Sequence, residues 1–379
     1  MQPGLPSSTT FNRPTFRAEH VGSFLRPEKL LQAARGLRQG TVTPERLRIT
    51  QDECIREIVA VQEAVGLSSV TDGEFRRRSW SAGFIDAVEG FGMRDGTLGF
   101  RDRSGDKGSV PSPYAKSPLK RSHGIATEEF RFLETVVKTG VPKAMLPSPD
   151  VMHYFLGPRS FDIRAYPDVE SYYAGLVNLY RDEIQELNAL GCRYLQLDNT
   201  ALPCNCDAHF RDDVHYRGED PDRLTARYVK LNNDVLAACA PGTAKAVHMC
   251  RGNLKGAWMA AGGYDPIAEK VFGELDVDAF LLEFDDERSG DFEPLRFVPA
   301  PKIAVLGLIS SKIPTLESAD DLKRRIEHAS KFIPLERLGL SPQCGFSSVA
   351  GSGHPLSEDD QKRKMELVAS VARDIWGTI

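Results

Sequence analysis

Two cysteines, a histidine and a glutamate stand where short β-branched runs give way to small or polar residues: His248-Met249-Cys250, Glu283 and Cys344. Sulfur, imidazole nitrogen and carboxylate oxygen form a donor set that suits tetrahedral Zn²⁺, with Zn–S near ~2.3 Å and Zn–N near ~2.0–2.1 Å. A His-x-Cys pair alone says little. Cysteine is a common buried residue, and most single histidines are satisfied within a core. The signal is joint: all four residues end runs that would be neighbouring strands. The same ends carry Gly22-Ser23, Asp72-Gly73-Glu74 and Asp198. A second cluster, Cys204-Asn205-Cys206 with His209 nearby, lacks the two-residue gap of a zinc knuckle. Pro203 and Asp207 mark an ordinary loop there, and the cluster reads as structural.

Positioning such a set requires strands whose carboxyl ends meet. Eight apolar, β-branched runs occur, at 16–23, 68–73, 141–147, 193–198, 244–248, 279–283, 302–307 and 338–342. Most are too apolar to alternate, as in parallel strands buried on both faces. Helical patterns separate them. Thr43-Pro44 supplies an N-cap and a first-turn proline, and Cys54, Ile55, Ile58, Val59 and Val65 supply a core face that ends at Gly66. Further helices are expected over 171–190, 222–239, 318–333 and 359–376. Eightfold strand–helix alternation predicts an α/β fold, a (β/α)₈ TIM barrel whose working residues sit at the carboxyl ends of the strands. Between the sixth and seventh runs, 288–301 leaves room for barely two helical turns, so that crossover must be abbreviated. The expected organisation is one domain over 1–379 with a flexible N-terminus at 1–15. The Gly/Ser-rich stretch 92–124, after the second run, would be an inserted loop or arm.

Composition narrows the function. Of 379 residues, 41% are apolar, enough for a large core, and Lys+Arg 48 against Asp+Glu 53 gives a net charge of −5. A nucleic-acid binder would show a basic excess. No uncharged apolar stretch reaches the roughly 18 residues of a membrane span. Residues 1–17 lack the apolar segment of a secretory signal, and the seven cysteines are odd in number and scattered. A cytoplasmic enzyme with reduced thiols is expected. The 92–124 insert, with seven basic residues against three acidic, could attract an anionic ligand or dock a second subunit of a homo-oligomer.

The chain resembles the catalytic C-terminal half of cobalamin-independent methionine synthase, and especially its stand-alone single-barrel relatives. The resemblance rests on Ala18-Glu19-His20-Val21-Gly22-Ser23-Phe24, Asp72-Gly73-Glu74-Phe75-Arg76 and Leu195-Gln196-Leu197-Asp198. It continues through His248-Met249-Cys250, Leu282-Glu283 followed by Arg288-Ser289, and Ser341-Pro342-Gln343-Cys344-Gly345. It implies zinc ligation by His248, Cys250, Glu283 and Cys344, with His248, Cys250 and Cys344 the catalytic centre. It also implies that Gly22, Ser23, Glu74 and Asp198 hold the amino-acid moiety of homocysteine. Two motifs depart from the family pattern. Asp-Glu-Pro-Ala becomes Asp198-Asn199-Thr200-Ala201, and an Ile-His-Ser stretch becomes Ile309-Ser310-Ser311, without the histidine implicated in proton supply.

The implied activity is zinc-dependent methyl transfer to homocysteine from 5-methyltetrahydrofolate or another methyl donor. Glu283 would leave the metal when the thiol arrives, and His354 is the candidate acid for the leaving group. Three other readings compete. Epoxyalkane:coenzyme M transferases look alike in length and zinc motif, but their sulfonate thiol calls for arginines rather than Glu74 and Asp198. A non-catalytic zinc-stabilised barrel would use the same four ligands. Uroporphyrinogen decarboxylases share the superfamily but need no His-x-Cys pair.

Overall fold

The computed structural model describes residues 14–102, 105–351 and 353–379; most of the expected flexible N-terminus therefore lies outside the described residues. Ten strands occur among them: β1 (Ser69–Val70), β2 (Val88–Asp102), β3 (Gly105–Arg121), β4 (Val141–Pro142), β5 (Ala144–Pro147), β6 (Tyr194–Asn199), β7 (Ala244–Met249), β8 (Ala279–Glu283), β9 (Ile303–Ile309) and β10 (Leu338–Pro342). A parallel six-stranded sheet runs β10-β9-β8-β7-β6-β5, and β4 pairs in parallel with β1. Ala18 bridges Leu340 in parallel, so the first run lies beside β10. Between the first and second runs, the Phe24 amide donates to the Gly73 carbonyl. This is the strand order of a (β/α)₈ barrel.

The first run is an extended segment with a single bridge rather than a regular strand, and it is flanked by Phe16 (φ 60°) and Gly22 (φ 135°). The abbreviated crossover is present as two 3₁₀ turns, Glu287–Ser289 and Glu293–Phe297. Helix Pro44–Val65 has the expected caps: Thr43 Oγ1 accepts from the Arg46 amide, and Gly66 takes the left-handed conformation. Helix Val169–Ala189 starts earlier than expected, because Asp168 and Ser171 form a capping box.

The strands do alternate, between two cores. On β6, Tyr194 joins an inner cluster with Val141, Ala246, Leu281 and Val305, while Leu195 and Leu197 join the outer cluster packed against helices. Period-two side-chain geometry persists, but hydropathy hides it because both faces are apolar.

The insert differs from the loop that its composition suggests. It is an antiparallel ribbon of β2 and β3 that begins at Val88. The ribbon is fastened across the carboxyl-end rim at two places. Arg101 and Trp258 exchange backbone hydrogen bonds of 2.8 Å, and Ala115 pairs with the segment at Ser160 and Asp162.

Candidate active site

The ribbon roofs a cavity of about 480 Å³ lined by Ser23, Glu74, Asp198, His248, Cys250 and Cys344 together with apolar residues such as Trp80, Phe100 and Phe155. Period two aims His248 inward at the end of β7, in register with Asp198 on β6. The next residue, Met249, turns into the outer core. Cys250 is then set by its amide, which donates to the Asn199 carbonyl at 2.9 Å. Cys344 lies two residues past the end of β10.

The His248, Cys250 and Cys344 donor atoms all lie within 4.8 Å of one another, and all three residues are buried. The two sulfurs are 3.3 Å apart, too far for a disulfide of about 2.05 Å. His248 Nδ1 lies 3.2 Å from the Leu281 carbonyl, which can only accept, so Nδ1 carries the proton. Nε2 is then a bare lone pair, buried and without a partner. An orphaned imidazole nitrogen beside two thiols fits a soft divalent ion. The mutual contact of the two thiols draws Cys344 below and pushes Cys250 above the ordinary range, as expected of two buried thiols sharing one hydrogen bond.

Glu283 is not in this group. Its Oε2 accepts from the Arg251 amide (2.8 Å), and its Oε1 accepts from Lys312 Nζ (2.8 Å) and Arg288 (3.0 Å). Burial alone would raise its pKa. Lys312, Arg251 and Arg288 overcome that and hold the carboxyl far below its usual range. As a result, a residue of ligand type is engaged as a counter-ion.

The carboxylates expected at the substrate lie in the same cavity. Glu74 sits among Arg76, Arg77 and Arg78, but those guanidinium groups hydrogen-bond Asp52, Glu129 and Asp86. Arg77 and Arg26 approach the Glu74 oxygens only to 3.9 and 4.0 Å, and Oε2 is buried without a hydrogen-bond partner. Burial pushes this carboxyl up to about 8. Asp198 does not cap the following segment; Asn199 takes that role by accepting from the Leu202 amide. Asp198 instead faces the cavity, and burial raises it to about 6. Gly22 has φ +135°, and a Cβ there would stand 1.9 Å from Met145 Sδ. It thus shapes the turn rather than the cavity wall. Ser23 does line the cavity, against the loop that carries Cys344: a Cβ on Gly345 would meet Ser23 Oγ at 1.9 Å.

Other residues stand elsewhere. His354 is turned to Ser347 and the Val349 carbonyl, away from the cavity lining. Where the family has its histidine, Ser310 donates to Asp285 and Ser311 to the Gly345 carbonyl. Cys204 and Cys206 are buried while His209 is exposed, so they form no common site. Arg26 escaped the sequence reading. This buried guanidinium donates to the carbonyls of Phe24, Glu74, Arg77 and Ser347, tying together the loops that carry Ser23, Glu74 and Cys344. Such contacts have no local sequence signature.

With this geometry in view, comparison with known proteins identifies the class. The family described as cobalamin-independent synthase, catalytic domain, matches residues 16–352. The chain belongs to that family of methionine-synthase-like catalytic barrels. It is 38% identical to the uncharacterized protein YxjH of Bacillus subtilis, over 95% of each chain. It superposes with a TM-score of 0.75 and 34% identity on a Listeria monocytogenes protein solved as a candidate vitamin-B12 independent methionine synthase, covering 97% of this chain and 99% of that one. It is also 26% identical to the 5-methyltetrahydropteroyltriglutamate–homocysteine methyltransferase of Syntrophotalea carbinolica, over 89% of this chain and 41% of that enzyme. No helix among the described residues is long and apolar enough to cross a membrane.

Proposed function

We propose that this chain is a zinc-dependent S-methyltransferase whose acceptor is homocysteine or a closely similar amino-acid thiol. The observation that carries the proposal is the placing of His248, Cys250 and Cys344 in one cavity with two carboxyls that have no cationic partner at hydrogen-bond distance, Glu74 and Asp198. His248 Nε2 and the two sulfurs would hold the metal. Zn²⁺ in that position supplies the charge that ionises a thiol at neutral pH and keeps its sulfur nucleophilic. A free thiol of pKa about 8.5 is only about 3% ionised at pH 7, so full ionisation contributes about 30-fold, roughly 2 kcal/mol. Orientation must supply the larger share, up to about 7–11 kcal/mol.

That orientation falls to this chain's side chains. Glu74 and Asp198 receive the acceptor's ammonium group. Ser23 and the adjoining backbone receive its carboxylate. Lys312 and Arg288 hold Glu283 as their counter-ion at the edge of the group formed by His248, Cys250 and Cys344. The apolar walls under the ribbon exclude water from the approaching methyl carbon.

A folate donor would require a proton at the leaving nitrogen, and neither Ser310, Ser311 nor His354 is an acid aimed into the cavity. An already cationic donor needs no such proton. The test is methionine formation from homocysteine by the zinc-loaded protein, with 5-methyltetrahydrofolate, methylcobalamin and sulfonium donors assayed in parallel. Zinc-dependent methionine from at least one donor is expected. Methionine from none of them, with stoichiometric zinc bound, would overturn the reading.

A further inference from the structure

We infer that Gln196 is a positioning residue that sets the acceptor-binding groups on two strands relative to each other; the inference rests on the proposed acceptor site. Gln196 is fully buried inside the barrel, two residues before Asp198 on the same face of β6. Its amide nitrogen donates to Asp198 Oδ1 at 2.7 Å and to the Val21 carbonyl at 2.7 Å. Val21 directly precedes Gly22-Ser23. One NH₂ group therefore fixes both the carboxylate proposed to grip the ammonium and the turn proposed to grip the carboxylate.

The amide has only one workable orientation. Its oxygen accepts from Lys143 Nζ at 3.1 Å, and an ammonium can only donate. The Val21 carbonyl can only accept, so a flipped amide would set nitrogen against ammonium and oxygen against oxygen. Lys143 is itself held by the His20 carbonyl and by Glu19 Oε2 at 3.3 Å, and Glu19 Oε2 accepts from Ser69 Oγ at 2.8 Å. A buried polar string thus runs Ser69–Glu19–Lys143–Gln196 across the first four runs and ends on Asp198.

The string is confined to one side of the barrel. Across the sheet, the register partners of Gln196 are apolar: Ala246 on β7 and then Ala279 on β8. Buried ionic groups are commonly no more stabilising than apolar packing of the same volume. Stability alone therefore gives no reason for polarity on the side facing Asp198 and Ser23 and not on the other.

The test compares wild type with Gln196→Met, which keeps volume but removes both donors, and Gln196→Asn, which keeps the amide but withdraws it by one methylene. Methionine is the binding probe, because its thioether does not titrate. In both variants, the Kd for methionine and the KM for homocysteine should rise about tenfold or more, with a smaller fall in kcat. Zinc content should stay at the wild-type value. A folded variant with unchanged Kd and KM would overturn the inference. So would loss of zinc in step with acceptor binding, or failure of both variants to fold, since either outcome marks a purely structural residue. A wild-type protein that neither binds methionine nor methylates homocysteine would instead sink the proposed function.

Discussion

Acceptor binding should strengthen with pH in a way that singles out Glu74. In the empty site, burial holds this carboxyl at about 8 and Asp198 at about 6. An ammonium ligand is received by the ionised forms, so each protonated carboxyl must first lose its proton. At pH 7, a group of pKa about 8 is about nine-tenths protonated, which weakens binding about tenfold, or about 1.4 kcal/mol. The Kd for methionine should therefore fall about tenfold per pH unit between 6 and 7.5, and level off above about 8. Below 6, Asp198 adds a second factor and the slope steepens. Glu74→Gln should weaken binding and abolish the upper inflection while keeping the one near 6. Fluorescence titration suits the measurement, since Trp80 lines the cavity. Folding gives the opposite trend. With the folded value raised above 4.5, stability from the neutral carboxyl is complete below about 4.5 and is lost as pH rises toward 8. A wild-type Kd that is flat from pH 5 to 8, or a Glu74→Gln profile that tracks wild type, would refute the reasoning.

The remaining predictions concern the metal centre and the first turn. Cys250→Ser and Cys344→Ser should each cut zinc per chain well below wild type, and in cobalt-loaded protein each should lose part of the thiolate-to-metal absorption; full zinc and an unchanged spectrum in either variant would remove that sulfur from the centre. Gly22→Ala should destabilise by about 2–4 kcal/mol, through its positive φ and the 1.9 Å approach to Met145 Sδ. Adding Met145→Ala should relieve the clash at the cost of a core cavity, so in thermal melting the double variant should lose less stability than the two single losses summed.

Much of the scaffold could be read from the chain because its signals are local. Thr43-Pro44 and Gly66 bracket one helix at its observed caps, the helices expected over 318–333 and 359–376 are found at Ala319–Ala329 and Glu358–Trp376, and the short 288–301 crossover left no room for a full helix. Features set by distant partners were hidden. The ribbon reads as loop because Gly, Ser and Pro dominate it. What orders it is backbone pairing between β2 and β3 and across to Trp258 and Ser160, which every residue type except proline can supply in full. Glu283 illustrates the same boundary within the site. Its residue type and strand-end position suggest a ligand, but its partners are Arg288, five residues on, and Lys312, twenty-nine on. Only the folded chain shows that both carboxylate oxygens are engaged.

On the proposed reading, the two inward carboxyls also account for the choice of acceptor. A buried carboxylate with no partner is costly, and the empty site lowers that cost by keeping Glu74 largely neutral at pH 7. An arriving ammonium makes the charged state favourable, so binding combines recognition with proton release. A thiol carrying a sulfonate and no amine would bring an anion against groups that ionise to anions, and it would leave both carboxyls without a cation at hydrogen-bond distance. Of the nearby guanidinium groups, Arg77 and Arg26 are committed to Glu129 and to backbone carbonyls, and Arg78, on the cavity wall, is paired with Asp86. On that reading the cavity would select for the amine before the sulfur reaches Cys250 and Cys344, which disfavours sulfonate-thiol chemistry.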